Sequence, residues 1–382
     1  MKLNKLTVGI IAAFGIAASA QAQQSSVTLF GLADVGLGFN NISAPDESSK
    51  SNLGATSGVS RPTTFGIRGV ESLGNGNSVV FNLTSQFSLG NGDVSSGSFF
   101  GQQATLGVRN DRYGQVDLGR QTNLASKYFQ TIDPFSTFYG QAGMGASFGT
   151  TNNLRYSNMV QLQSVTWNGL SAGVGYSFNT GLQTAYADSG VLTGATSNYG
   201  TTDNPRAVTV GVNYVNGPLQ VSAAYDQIMP AGNVGNGENA SPKAWVLGAA
   251  YDFQVVKASL AYGQTRSGAI SGTLPAAVSG LNSDWAAGGV LSQSGYGANS
   301  YLIGLSAPVG GNQKVFASVQ LATPTGSADI AANGTQSVYS LGYEYGFSKR
   351  TTGYAYASYA NNYLMIEGAK STAVGIGMRH AF

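Results

Sequence analysis

The chain has little of what several classes of protein require. Its 382 residues contain no cysteine and one histidine, and only 9% of them are charged, with 19 Lys and Arg against 17 Asp and Glu. Without cysteine, neither a disulfide scaffold nor a thiolate metal site can form. A soluble domain has about 25% charged residues, and a nucleic-acid-binding domain carries basic patches. The composition argues against both classes, and we expect no nucleic-acid partner, no metal and no cofactor.

Long apolar runs are also missing, apart from one at the start. Residues 1–22 contain Lys2 and Lys5, continue with an apolar run over 8–20, and end in the small-x-small sequence Ala-Gln-Ala. That run is too short to cross about 30 Å of hydrocarbon as a helix. The segment is typical of a cleaved signal peptide, so we expect the mature chain to begin at Gln23. Export without a helical anchor leaves the periplasm, the medium or the outer membrane.

Period-two alternation fills the rest of the chain. In residues 79–89, VVFNLTSQFSL, apolar side chains share one face, and small or polar side chains share the other. Residues 170–178 and 219–226 repeat this pattern. A β-strand that crosses a membrane needs ~9–11 residues with the apolar side toward lipid. Sixteen segments fit, near residues 27–39, 63–72, 78–89, 102–110, 115–121, 152–166, 170–178, 206–215, 218–228, 243–252, 255–266, 298–307, 313–322, 336–347, 351–361 and 371–382.

Short and long connections alternate between these segments. Tight turns such as residues 73–77, 110–114 and 168–169 are separated by long polar stretches such as 179–205. Short turns on one rim and long loops on the other are typical of an outer-membrane barrel, and a closed barrel leaves no unpaired strand edge in lipid. The sequence therefore predicts one all-β domain over 23–382, a sixteen-stranded antiparallel transmembrane β-barrel with short periplasmic turns and long extracellular loops.

Charged residues within the strands indicate which face lines the lumen. A cationic side chain on the lipid face costs about 2–4 kcal/mol at the midplane, so we expect mid-strand charges to point inward. Six charged residues are out of phase with the apolar residues beside them, namely Arg68, Arg109, Arg155, Lys257, Glu344 and Asp34. Arg120 is the exception, because strict alternation places it on the face of Val116 and Leu118. A bulge at Gly119 would turn it inward; otherwise the strand has already ended.

Several sequence blocks together resemble the trimeric general porins of Gram-negative bacteria, in particular their betaproteobacterial branch. These blocks are SVTLFGLAD at 26–34, FGIRGVESLG at 65–74, YGQVDLGRQ at 113–121, RYSNMV at 155–160 and FSKRT at 347–351. The resemblance covers essentially the whole mature chain. It implies a homotrimer in the outer membrane, with a third extracellular loop folded into each pore and passive passage of small hydrophilic solutes and ions.

Residues 122–151, hereafter the constriction loop, correspond to that third loop. The loop is rich in aromatic residues and carries Lys127 and Asp133, and Asp133-Pro134-Phe135 is the nearest counterpart of the family's acidic residue. The family also places the arginine of the Gly-Arg-Gln block, here Arg120, on the pore wall. On this resemblance we expect Arg120, Arg155, Arg68 and Lys127 to line a narrow waist with Asp133.

Such a waist predicts a weak preference for anions, because clusters of Arg and Lys bias a pore toward them. Relatives often carry a further arginine where this chain has Thr64. The row of basic residues is therefore thinner than usual, so we do not expect strong selectivity.

The end of the chain points to partners. The last segment, TAVGIGMRHAF, alternates and ends in Phe382, which resembles the C-terminal signal that the outer-membrane barrel-assembly machinery reads. We expect that machinery, outer-membrane lipid and lipopolysaccharide to be partners of the chain, together with two further copies of it.

Three other functions stay open at this point. A substrate-specific channel for sugars or dicarboxylates would admit one solute out of proportion to its size. A structural or adhesive barrel would not conduct. An enzyme is the least favoured, because hydrolytic chemistry commonly needs a histidine base, and His380 lies at the chain end without a neighbouring Ser or Asp.

Overall fold

The computed structural model describes residues 25–43, 49–94, 97–182, 184–186, 204–230, 240–270, 290–326 and 334–382. The predicted signal peptide, residues 1–22, lies outside this set. Within it, the chain forms eighteen β-strands, one short α-helix and several single 3-10 turns. No helix in the described ranges is long and apolar enough to cross a membrane.

The strands follow one another along the whole described chain. They are β1 (Ser26–Ser43), β2 (Lys50–Ser57), β3 (Thr64–Gly74), β4 (Asn77–Gln86), β5 (Gln103–Asn110), β6 (Gly114–Thr122), β7 (Arg155–Ser164), β8 (Leu170–Ser177), β9 (Thr184–Tyr186), β10 (Arg206–Asn216), β11 (Leu219–Met229), β12 (Lys243–Asp252), β13 (Lys257–Ile270), β14 (Val290–Pro308), β15 (Gln313–Thr325), β16 (Gln336–Gly346), β17 (Thr351–Asn361) and β18 (Lys370–Ala381). Helix α1 spans Leu124–Phe129.

Sixteen of the described strands, all except β2 and β9, form a closed antiparallel ring. Each pairs with the next one along the chain, β8 pairs with β10, and β18 returns to pair with β1. Closure provides hydrogen-bond partners for the backbone without leaving an edge, which a sheet in lipid requires. The predicted sixteen-stranded antiparallel barrel is confirmed.

Alternation gives the ring two different faces. Large apolar residues such as Leu106, Ile303 and Ile376 are 59%, 61% and 61% exposed on the outside, where they match the apolar band of a membrane barrel. Small polar residues such as Ser259 and Ser318 are buried on the inside. The outer face is therefore suited to lipid, and the inner face leaves room for a loop.

The first long connection contains a strand that the sequence pattern did not predict. Strand β2 pairs with the C-terminal half of β1, from Val35 opposite Ser57 to Ile42 opposite Lys50. Strand β3 pairs with the N-terminal half of β1. Residues 40–62, the connection between the first two predicted segments, thus form in part a hairpin that prolongs the barrel wall. The residues of β2, KSNLGATS, lack the apolar alternation from which the other strands were predicted.

The constriction loop is packed against the inner wall. Asn123 caps α1, its Oδ1 accepting a hydrogen bond from the Ser126 N–H at 3.4 Å. After α1 the loop continues through 3-10 turns at 140–142, 144–146 and 149–151. Its apolar residues are buried with residues of the wall, in a cluster of Ala125, Phe129, Ile132, Met144 and Phe148 with Ala224, Val246, Ala250, Ala261 and Leu302.

Glycines on the inner wall create the space for this docking. A Cβ atom at Gly248 would lie 2.7 Å from the Phe129 ring, and one at Gly304 would lie 2.4 Å from Cγ of Pro134. Glycine lets another group approach the backbone closely. Part of the high glycine content of the chain therefore serves loop packing.

The C-terminal residue takes part in ring closure. The Phe382 N–H donates to the Gly31 carbonyl at 3.1 Å, and the Gly31 N–H donates back to the Phe382 carbonyl at 3.1 Å. A Cβ atom at Gly31 would lie 2.3 Å from the Phe382 ring. The aromatic ring thus lies directly over a glycine of the first strand.

We predict that Gly31→Ala weakens this closure, because the added methyl group overlaps both the Phe382 ring and the Thr64 carbonyl. Overpacking of this kind costs about 1–3 kcal/mol. The measurement is the temperature at which folded barrels unfold on semi-native gels. Gly38→Ala is the matched control, since a Cβ atom there meets only Thr56 at 3.4 Å. Equal unfolding temperatures for the two variants would contradict the prediction.

Candidate functional site

Three basic side chains line a recess beside the constriction loop. Arg61, Lys257 and Lys314, hereafter the waist cluster, border a cavity of about 300 Å³ together with loop residues that include Thr131, Asp133 and Ser136. The Lys257 Nζ donates to the Thr131 carbonyl at 2.7 Å. The three cations come from segments that are far apart in the chain, and the constriction loop forms the other side of the recess.

Aromatic rings support two of these cations. The Arg61 guanidinium lies 4.9 Å from the centroid of the Phe138 ring, and the Lys314 Nζ lies 4.9 Å from that of Phe316. Cation–π contacts fix a long side chain without neutralising its charge. Burial, together with the neighbouring Arg379, lowers the pKa of Arg61, but an arginine stays charged at neutral pH.

A polar network attaches residues 133–144 of the constriction loop, hereafter the loop tip, to β16 and β18. The Tyr139 hydroxyl donates to Glu344 Oε1 at 2.5 Å, and the Arg379 guanidinium lies 2.8 Å from the same carboxylate oxygen. Arg379 also donates to the Tyr139 hydroxyl oxygen at 3.1 Å. Glu344 on β16 is therefore paired with Arg379, and through its charge it also acts on Arg61 of the waist cluster.

Asp133 lies within the loop, where it stabilises the tip. Its carboxylate is 3% exposed and accepts hydrogen bonds from the N–H groups of Phe135 at 3.0 Å, Thr137 at 2.8 Å and Met144 at 2.9 Å. Ser136, Thr137 and Tyr139 have φ of 56°, 60° and 64°, values that a β-branched residue such as threonine rarely adopts. Burial raises the pKa of Asp133 to about 6, although the three backbone hydrogen bonds oppose the rise.

A second buried carboxylate joins both ends of the loop to the wall. Asp226 on β11 accepts from the Asn123 Nδ2 at 3.0 Å, the Thr150 hydroxyl at 2.5 Å and the Tyr156 hydroxyl at 3.2 Å. Asn123 opens the loop and Thr150 lies near its end. Sequence reasoning missed this contact, although Asp226 alternates with outward Tyr225.

Lys127 does not reach the waist cluster. Its Nζ donates to Gln161 Oε1 on β7, and burial lowers its pKa to about 8, with Asp117 partly offsetting the effect. Lys127 therefore attaches α1 to the wall at β6 and β7.

Arg120 and Arg155 differ from their expected position. Arg120 pairs with Ala104 on β5, which shares the outward face of Leu106. A bulge exists, but its extra residue is in β7, where Ser157 and Asn158 both lie opposite Arg120. Strand β6 keeps strict alternation through Gly119, so the expectation that Gly119 turns Arg120 inward is wrong.

Arg155 lies on the same outward face. It pairs with Thr122, while its neighbour Tyr156 points inward to Asp226. The two guanidinium groups donate to backbone carbonyls of the preceding loop, Arg120 to Gly101 at 2.7 Å and Arg155 to Gln102 at 3.0 Å. Arg155 also donates to the Asn153 carbonyl at 2.8 Å. The structure thus brings these two arginines together beside the loop that precedes β5, and neither borders the recess of the waist cluster.

The remaining predicted residues spread over several heights of the lumen. Strand pairing places Arg68 beside Thr28 and Asn82, and its guanidinium lies 5.2 Å from the Phe30 ring centroid. Arg68 is therefore nearer to the short turns than the waist cluster is. Arg109 lies next to a short turn, 3.9 Å from Asp111. Asp34 is fully buried and contacts the segment that carries Arg61.

Sequence reasoning missed three residues near the waist, Arg61, Lys314 and Arg379. Lys314 and Arg379 carry the same signal as Lys257, a charge out of phase with outward apolar neighbours such as Met378. Arg61 has no such signal, because it lies in an irregular segment and not in a strand.

A closed sixteen-stranded barrel with a long loop packed against its inner wall is the architecture of an outer-membrane channel protein. The sequence matches the Gram-negative porin family over residues 7–363. The chain belongs to that family, and it forms a water-filled channel across the outer membrane, as the sequence blocks predict.

Individual relatives agree with this assignment. An outer membrane porin protein of Bordetella pertussis is 44% identical over the full length of both chains, and outer membrane porin protein 32 of Delftia acidovorans is 30% identical over the full length of both. An anion-selective porin from Comamonas acidovorans superposes with a TM-score of 0.69 at 26% identity, over 94% of this chain and 100% of that one. A trimer form of OmpT from Vibrio cholerae, 14% identical with a TM-score of 0.60 over 94% and 99%, shares the fold.

The buried Asp133 predicts a pH dependence of loop stability. Its pKa of about 6 in the docked loop exceeds the ordinary value of 3.8, so the docked loop binds the proton more tightly than the released loop does. This contribution to stability is complete below about pH 3.8 and is lost as the pH rises through about 6, with an upper limit of about 3 kcal/mol.

We therefore expect wild-type barrels to lose thermal stability between pH 4.5 and 7 by more than Asp133→Asn barrels do. The measurement is the midpoint of thermal unfolding in detergent at both pH values. The difference between the two proteins isolates Asp133, because every other titrating group is common to them. A wild-type change no larger than that of the variant would refute the prediction.

Proposed function

We propose that this porin is a general diffusion channel with a weak preference for anions, that it works as a homotrimer, and that it has no enzymatic activity. The observation that carries the selectivity is the waist cluster, whose cations border the recess while the nearby carboxylates of Asp133 and Glu344 are engaged in hydrogen bonds or an ion pair. Fixed cationic groups at a constriction favour anions.

Two further observations support parts of this proposal. The similar Comamonas acidovorans structure is described as an anion-selective porin. The single histidine, His380, has its Nδ1 2.9 Å from the Thr351 hydroxyl in an exposed position on the last strand. It does not border the recess at the waist cluster.

Removing one cation at a time tests the selectivity. We expect Arg61→Gln, Lys257→Gln and Lys314→Gln each to lower the anion-to-cation permeability ratio, by roughly 1 kcal/mol or less per charge in a water-filled lumen. The measurement is the reversal potential of single channels in a salt gradient. Lys349→Gln, in the exposed turn between β16 and β17, is the control and should leave the ratio unchanged. A cation preference in the wild-type channel would refute the proposal.

Solute size separates general diffusion from specific transport. In proteoliposomes, we expect the swelling rate to fall smoothly as uncharged sugars increase in size, because a general diffusion channel selects uncharged solutes by size alone. One sugar that enters much faster than its size predicts would instead support a substrate-specific channel. No swelling with any solute, and no conductance in planar bilayers, would support a structural barrel.

A further inference from the structure

The chain passes from β2 to β3 through an irregular segment that enters the lumen. Residues 58–63, hereafter the lumenal insert, lie opposite only Ala33 and Asp34 of β1, since Val35 pairs with Ser57 and Leu32 pairs with Thr64. Six residues cannot all pair with two residues of the neighbouring strand, so the additional residues bulge into the lumen. The insert carries Arg61 to the loop tip, where its guanidinium stacks on Phe138.

One side chain holds the insert in place. The Asp34 carboxylate accepts hydrogen bonds from three consecutive backbone N–H groups, those of Val59 at 3.1 Å, Ser60 at 3.2 Å and Arg61 at 2.9 Å. The hydroxyls of Ser60 and Tyr354 also donate to it, the latter at 2.6 Å. Asp34 is completely buried, and its hydrogen-bond partners are all uncharged.

The other hydrogen bonds of the insert involve its two ends and the Ser60 hydroxyl. The Phe87 N–H donates to the Thr63 carbonyl at 3.1 Å, and Arg379 donates to the Ser60 hydroxyl oxygen at 3.3 Å. The N–H of Gly58 donates to the backbone carbonyl of Asp34 at 2.8 Å, and Thr63 exchanges hydrogen bonds with the backbone of Asp34. Pro62 has no N–H to donate. The three consecutive N–H groups would lack a partner without the carboxylate, and an unsatisfied buried donor is costly. The position of Arg61 therefore depends on Asp34.

We propose that Asp34 is a positioning residue that sets the ion selectivity of the channel by holding the lumenal insert, and thereby Arg61, at the waist. This inference rests on the proposed anion preference and names the group that maintains it. A carboxylate on the wall of an anion-selective pore would ordinarily oppose that selectivity. Here it supports selectivity, because its charge is directed to the backbone of the segment that presents the arginine.

A direct effect of the Asp34 charge and a positioning role of Asp34 predict opposite results for Asp34→Asn. If Asp34 acted only through its charge, removing it would raise the anion-to-cation permeability ratio. If it positions Arg61, the ratio falls toward that of Arg61→Gln, because the insert relaxes and the guanidinium leaves the waist. The measurement is the single-channel reversal potential in a salt gradient, with Asp93→Asn in the exposed loop after β4 as a matched control.

The double variant Asp34→Asn/Arg61→Gln makes the test stricter. Positioning predicts that Asp34→Asn has no further effect once Arg61 is absent, which is strong coupling between neighbouring sites. A rise in the ratio on Asp34→Asn, of equal size with and without Arg61, would overturn the inference. If Arg61→Gln alone leaves the ratio unchanged, the proposed contribution of Arg61 to selectivity fails instead, and the inference fails with it.

Variants that keep the negative charge cover the case in which Asp34→Asn does not assemble. Asp34→Glu lengthens the side chain, and Ser60→Ala together with Tyr354→Phe removes two hydroxyl donors. Both changes leave the charge of the wall as it is, so an effect of charge alone predicts an unchanged reversal potential. We expect a shift toward lower anion preference, and an unchanged potential in both variants would refute the positioning role.

Discussion

All other features of this barrel depend on one constraint: a backbone N–H or C=O group in hydrocarbon must find a partner, because an unpaired group costs several kcal/mol. The pairing of β1 with β18 meets that constraint, from Leu32 opposite Ala381 to Ser43 opposite Lys370. A closed ring has a fixed inside and outside, since successive side chains point to opposite faces. Lipid requires the surface that faces it to be apolar, so most polar side chains of the wall lie inside. Arg120 and Arg155 on the outward face instead donate to backbone carbonyls of the loop before β5.

Inside the ring, three buried carboxylates act as acceptors for loops. Asp133 holds the loop tip, Asp226 joins both ends of the constriction loop to β11, and Asp34 holds the lumenal insert. None of them forms an ion pair in the described residues. Their charge is satisfied by N–H and O–H donors, while the waist cluster borders the open recess. A chain with nearly equal numbers of acids and bases thus presents mainly cations at its waist.

Alternation predicted the strands and the lumenal face, because lipid imposes it on every crossing. It did not predict the height of a residue along the pore, which depends on strand tilt and register. Arg68, which was expected at the waist, therefore lies nearer to the short turns. Arg120 was placed at the waist by resemblance against the alternation, and the strand pairing of β6 follows the alternation. Arg155 was placed inward by alternation with Val160 and Leu162, and the extra residue in β7 at 157–158 reverses that phase, so Tyr156 points inward in its place. Arg61 and the Asp226 contact depend on irregular chain folding back onto the wall, which leaves no periodic signal.

The Glu344–Arg379 pair has a consequence for the order of assembly. Arg379 lies on β18, three residues before Phe382, and its partners Glu344 and Tyr139 lie on β16 and on the constriction loop. The loop tip therefore acquires its final charged contact from the same strand that closes the ring. A chain that lacks its last strand has neither a sealed wall nor the arginine contact of the loop tip, although Asp226 still joins the ends of the loop to β11. Barrel closure and completion of the pore are thus one event.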